Sequence, residues 1–189
     1  MSADLRLFIA IPIPVTSAIE GVRQELRGHQ SALRVGRDDP LHLTLKFIGA
    51  TPPHQVPVIE AVLQETLAGQ TAFPLELQGV GAFPKPTRPS VVWIGLADNP
   101  NLHSIAKDLE ANLATIGIPR ENRDYHPHVT IARVRRGRSI NLAEFCQAQS
   151  QLAFGQTQID TVVLYESNFQ SGSKRNGPIY TPLVTVSLN

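Results

Sequence analysis

The chain has 189 residues, 42% of them hydrophobic and 17% charged, an ordinary globular composition at a length that buries roughly 70% of the unfolded surface. Its net charge is +1 and its pI near 8.0, so no global field holds long nucleic acid by counterion release, and any such contact is short and local. The single cysteine, Cys146, excludes an internal disulfide and fits a buried structural thiol in a reducing compartment, the cytoplasm.

The run "LFIAIPIPV" follows Asp4 and Arg6 and carries Pro12 and Pro14, a layout that matches neither a signal peptide nor a membrane span. It predicts a core strand over Arg6 to Ile11, punctuated by the prolines. Ser17 and Glu20 form a capping box for a helix with Ile19, Val22 and Leu26 at helical spacing, and Gly28 supplies a left-handed stop. "LHLTLKFIG" then alternates: Leu41, Leu43, Leu45 and Phe47 fall on one face, His42, Thr44 and Lys46 on the other. Pro57 and Gly69 bracket the helix "VIEAVLQETLA", and "FPLELQGVGAF" alternates as a strand. Residues 1–88 thus read βαβαβ.

From Ser90 the order restarts. "SVVWIGL" is a strand, and Asn99 with Pro100 introduces a helix that Gly117 ends before "YHPHVTIAR". Asn141 and Glu144 resemble a capping pair for a short helix. "QIDTVVLYES" and "IYTPLVTVSL" close the chain as strands, joined by the loop "NFQSGSKRNGP". Residues 89–189 therefore read βαβαββ, and the whole reads as an internal duplication within a single domain, 1–189.

His-x-Thr occurs once in each half, at His42 and Thr44 and at His128 and Thr130, whereas about 0.4 such pairs are expected by chance in this composition. Each pair sits at period two in an apolar alternation, so both side chains of a pair project from one face. An imidazole exchanges protons near neutrality, and a hydroxyl one pleat away donates to an anionic oxygen. Two such units brought together by a pseudo-two-fold axis suit a phosphate.

With "RLFIAI", "HLTLKFIG", "FPKPTRPSVVWIGL", "PHVTIAR" and "LYESNFQSGSKRNGPIY" in this order, the chain resembles the 2H phosphoesterases, and among them the bacterial and archaeal RNA 2′,3′-cyclic phosphodiesterases, also called 2′-5′ RNA ligases. The resemblance implies a bilobal α+β fold, two pseudo-symmetric lobes with antiparallel-type sheets and outer helices around a central groove. It implies metal-independent, cofactor-free hydrolysis of RNA 2′,3′-cyclic phosphate ends to 2′-phosphates, with reversible 2′-5′ ligation as an accompanying activity. By motif position it makes His42 the general acid and His128 the base, an order that the residues alone leave open. It makes Thr44 and Thr130 donors to phosphate oxygens and Arg133 a phosphate-neutralising cation. The expected partners are RNA ends or small cyclic-phosphate nucleotides, with no membrane, and the expected state is a monomer.

By strict alternation Arg133 has the wrong parity to join His128 and Thr130, so a bulge or the strand's end must reorient it. Arg135, Arg136 and Arg138 read as solvated charges of a turn. Lys46 shares the polar face with His42, and Tyr125 is a candidate base-stacking ring. Two other classes compete: a catalytically silent nucleotide-binding module of the same fold, and a metal-binding protein using His126 and His128, which lack a carboxylate or cysteine at matching spacing. Hydrolysis in EDTA separates all three. His29, His54, His103 and Trp93 receive no chemistry, Trp93 being read as core.

Overall fold

The structure, a computed structural model, describes residues 4–36, 40–168 and 178–189. The described strands are β1 (Leu5–Ile13), β2 (Leu33–Arg34), β3 (Leu41–Thr51), β4 (Phe73–Phe83), β5 (Val91–Leu96), β6 (Val129–Val134), β7 (Ala153–Ile159), β8 (Thr161–Asn168) and β9 (Ile179–Ser187). They form one curved antiparallel sheet in the order β7-β4-β5-β6-β3-β1-β8-β9, with β2 paired to β6. Helices α1 (Ser17–Arg27), α2 (Val56–Leu67), α3 (Pro100–Thr115) and α4 (Ala143–Ala148) cover one face. The loop expected over "NFQSGSKRNGP" lies almost wholly outside the described residues.

The core is the helix-covered face of the sheet. Leu41, Leu43 and Leu45 of β3 and Leu7, Ile9 and Ile11 of β1 point into it, against Leu102, Ile105 and Leu109 of α3. Each such fully buried aliphatic side chain contributes about 1.5–3 kcal/mol of transfer free energy. Alternation therefore turns the intervening residues of β1, β3, β5 and β6 toward the open face, where the groove runs.

Local signals place most elements and shift some ends. Thr16, not Ser17, caps α1: its hydroxyl accepts from the backbone N–H of Ile19. Glu20 is instead engaged by Arg23 and Arg27. Gly28 follows α1 in right-handed geometry, so no left-handed stop occurs there. Asn99 caps α3 by accepting from Asn101 and Leu102, and Asn141 accepts from the backbone N–H of Ala143 at the start of α4. The expected glycine stops hold after α2 and α3, where Gly69 and Gly117 take φ values of 78° and 87°.

The sheet interleaves strands from either side of residue 88. The central neighbours are β3 and β6, the two His-x-Thr strands, but the lobes around them are β3-β1-β8-β9 and β6-β5-β4-β7. Strand β4 from the first sequence half lies between β5 and β7 of the second, and β8 and β9 from the second half lie outside β1. With β2, β7 and β9 set aside, β1-α1-β3-α2-β4 parallels β5-α3-β6-α4-β8, but each such unit lends its last strand to the other lobe. The helices are exchanged as well: α1 packs beneath β6 and β7, and α3 beneath β3.

Candidate active site

The two motifs meet at the seam between β3 and β6. One antiparallel pair, Leu43 with Val129, joins the strands, both side chains pointing into the core. Extending that register by one residue either way sets His42 opposite Thr130 and Thr44 opposite His128. The four groups therefore make a crossed square, each histidine facing the other motif's threonine. Directly opposed residues stand about 5 Å apart and diagonal ones about 7–8 Å, so the two imidazoles flank a space of phosphate size from opposite corners.

Each motif is followed by the same irregularity. Along β3, Thr44 pairs with Ala10 and Lys46 with Ile9, so Leu45 is an extra residue. Along β6, Thr130 pairs with Trp93 and Ala132 with Val92, so Ile131 is extra. A bulge of this kind reverses the side-chain parity beyond it. In β6 it carries Arg133 onto the face of His128 and Thr130, which answers the parity conflict seen in the sequence. In β3 it does the reverse of what alternation predicts. Phe47 swings into the groove, 67% exposed, while Lys46 is buried. Lys46 donates to Glu110 of α3 at 2.8 Å and to the Pro119 carbonyl at 2.7 Å, so it braces the strand from behind and is no phosphate ligand.

The resulting groove encloses about 630 Å³, with His42, Thr44, Phe47, His128, Thr130 and Arg133 on its walls. Each imidazole is held from below in the same way: Nδ1 of His42 lies 3.4 Å from the Pro40 carbonyl, and Nδ1 of His128 lies 2.8 Å from the His126 carbonyl. A carbonyl only accepts, so Nδ1 carries the proton and Nε2 is left to exchange one in the groove. Burial pushes both imidazoles below the usual histidine pKa. Arg133 adds to this at both sites, and each histidine is further opposed by a neighbouring one, His128 at His42 and His126 at His128. The carbonyl hydrogen bonds work in the other direction, favouring the charged form.

Aromatic rings fix the imidazoles sideways. His42 has Tyr180 edge-on at 4.8 Å and Phe8 at 5.1 Å, and Phe8 stacks on Tyr165 at 5.3 Å. His128 has Phe83 edge-on at 5.1 Å, with Trp93 behind it at 6.4 Å. Trp93 is thus half-buried, outside the core, and backs the His128 side of the groove without lining it. Its seat requires Gly81, where an added Cβ would come 2.2 Å from the indole. Sequence reasoning missed this cluster because its members lie on five strands and none carries a local motif.

Tyr125 takes no base-stacking position. Its ring is packed at the core edge beside His103, and its hydroxyl donates to the Thr44 carbonyl at 3.1 Å, tying the approach to β6 onto β3. The imidazole of His126 is exposed, and the residue serves His128 through its backbone. Among the described residues no group of three or more His, Cys, Asp or Glu is placed to hold a metal ion. No helix among them is long and apolar enough to cross a membrane.

A sheet of two exchanged lobes with one His-x-Thr strand from each at the seam defines the two-lobed α+β fold of the 2H phosphoesterases. The profile of the 2′-5′ RNA ligase superfamily matches residues 12–168, and the chain belongs to that superfamily. It is similar to the RNA 2′,3′-cyclic phosphodiesterase of Aeropyrum pernix, 32% identical over 158 residues, 82% of this chain and 85% of that protein. Its likeness to the RNA 2′,3′-cyclic phosphodiesterase of Archaeoglobus fulgidus is 30% over 181 residues, covering 95% of this chain and 98% of that one. Among solved structures it is similar to Escherichia coli LigT in apo form, with a TM-score of 0.72, 26% identity and 99% of both chains covered. The same protein complexed with 3′-AMP gives a TM-score of 0.70 at 26% identity, with 98% of both chains covered.

Proposed function

We propose that the protein hydrolyses RNA 2′,3′-cyclic phosphate ends to 2′-phosphate ends, by proton transfer between two imidazoles and without a metal. The observation that carries this reading is the crossed square of His42, Thr130, His128 and Thr44 with Arg133 turned onto the same face by a bulge. The names of the relatives in Aeropyrum and Archaeoglobus support it.

In this mechanism water attacks phosphorus from one corner of the square and gives its proton to Nε2 of His128. The P–O3′ bond breaks on the opposite side, and the departing O3′ takes the proton of His42, leaving the phosphate on O2′. Displacement at phosphorus needs attacking and leaving oxygens in line, and diagonally placed imidazoles serve the two ends of that line. Thr44, Thr130 and Arg133 donate to the non-bridging oxygens, whose charge is held in a partly desolvated groove. A 5′-hydroxyl in place of water gives a 2′-5′ linkage through the same proton transfers. We read the enzyme as a monomer and, from the lone buried thiol of Cys146, as cytoplasmic.

The test is incubation of the purified protein, in EDTA, with an oligonucleotide ending in a 2′,3′-cyclic phosphate, resolving 2′- from 3′-phosphate products. The expected product is the 2′-phosphate, formed at a rate indifferent to EDTA. Predominant 3′-phosphate, a requirement for divalent metal, or binding without turnover would each overturn the reading, the last in favour of a silent nucleotide-binding module.

A further inference from the structure

A cyclic phosphodiester carries one negative charge, and Arg133 already stands beside the square that would hold it. The groove offers more: Arg6, Arg34 and Arg133 all line it, and among the described residues no Asp or Glu does. Arg34 is the Cα partner of Arg133, so these two share one end. Arg6 is at the other. On β1 it has the parity of Phe8, two pleats or roughly 7 Å along the strand, and Phe8 is the Cα partner of Phe47. Arg6 is exposed, and no hydrogen bond or ion pair engages it among the described residues.

The duplication does not impose this charge. Ala10 pairs with Thr44 as Trp93 pairs with Thr130, so Phe8 corresponds to Val91 and Arg6 to Pro89. Arg6 has no counterpart in the other lobe, and it shares its own with Phe8, Phe47 and Tyr180, the aromatic residues that line the groove. A nucleotide with its cyclic phosphate between the histidines and its base on the exposed face of Phe47 has one anionic group left, the phosphodiester at its 5′ carbon. Among the described residues, Arg6 is the cation that lines the groove on that side.

We infer that Arg6 holds the phosphate on the 5′ side of the terminal nucleotide, and that the enzyme thereby prefers the end of an RNA chain to a free nucleoside cyclic phosphate. This rests on the phosphodiesterase reading above. Guanidinium and phosphate form a charge-assisted, geometrically specific pair, and one such contact adds about 0.7 to the salt slope for single-stranded nucleic acid.

The experiment compares wild type with Arg6→Met on three substrates: a nucleoside 2′,3′-cyclic phosphate, a dinucleotide ending in a 2′,3′-cyclic phosphate, and that dinucleotide with a neutral methylphosphonate linkage. In the wild type the ratio of kcat/KM for the dinucleotide to that for the nucleoside is expected to exceed the ratio in Arg6→Met by about tenfold. The methylphosphonate should cost the wild type a similar factor and cost Arg6→Met little. The slope of log kcat/KM against log salt for the dinucleotide should flatten by about 0.7. Equal ratios in the two proteins, or a methylphosphonate penalty that survives in Arg6→Met, overturn the assignment. If the wild type turns over none of the three, the phosphodiesterase reading itself fails and takes this inference with it.

Discussion

His42→Ala and His128→Ala are each expected to lower kcat by about 10²- to 10⁴-fold, the range of a single general acid or base. The double variant should lose much less than the product of the two, because groups on one proton-transfer path fail together. Both imidazoles face the groove, so neither change opens a cavity in the aliphatic core. The pH dependence of residual activity assigns the roles. Losing the acid removes the need for a protonated group and flattens the alkaline limb, while losing the base flattens the acidic limb. Resemblance and groove geometry assign the first behaviour to His42→Ala and the second to His128→Ala. Wild-type rates in either variant would remove that histidine from the chemistry.

Arg133→Met carries the second large effect, about 10²-fold in kcat/KM, from the loss of a cation beside the developing charge. It also moves the pH profile, in a direction that the site decides. A nearby guanidinium disfavours imidazolium, and Arg133 is one of the causes holding both His42 and His128 below the usual range. Removing it raises both values, so the bell in kcat/KM, which reports the free enzyme, shifts to higher pH. Burial, the larger cause, remains, and the shift is therefore partial. The wild-type optimum in kcat/KM should lie on the acid side of neutrality, where one imidazole of the pair is charged and the other is not. A profile in Arg133→Met that neither falls nor moves returns Arg133 to the solvated turn it borders.

The alternation Leu41-His42-Leu43-Thr44-Leu45 was legible because it records which face of β3 is buried. The strand beyond Leu45 was not. The bulges at Leu45 and Ile131 leave no residue-type signature, yet they exchange the environments of Lys46 and Phe47 and deliver Arg133. Only at Arg133 did a required role conflict with parity and expose the problem. Strand β7 was missed because its sequence, AFGQTQI, alternates weakly at an edge where most side chains stay in water, and β2 is too short to carry a pattern. The exchange of strands between the lobes was not legible for a different reason. Local sequence sets the period of a strand but not which neighbour it joins, and the β4 and β8 partners are chosen by packing at long range.

Exchange of β4 and β8, with α1 and α3 under the opposite lobes, means that neither repeat owns a finished hydrophobic core. A chain stopped at residue 88 would hold β4 without β5 or β7 to pair it, and α1 without the strands it covers. The protein should therefore melt as one cooperative unit, with calorimetric and van't Hoff enthalpies equal, and two separated transitions would contradict this. The separation of the two imidazoles is set by the β3–β6 register, which neither repeat forms alone. The lobes share one sheet, but at the seam between them the ladder narrows to the single pair of Leu43 with Val129, so the elements exchanged on either side hold the groove's two walls together.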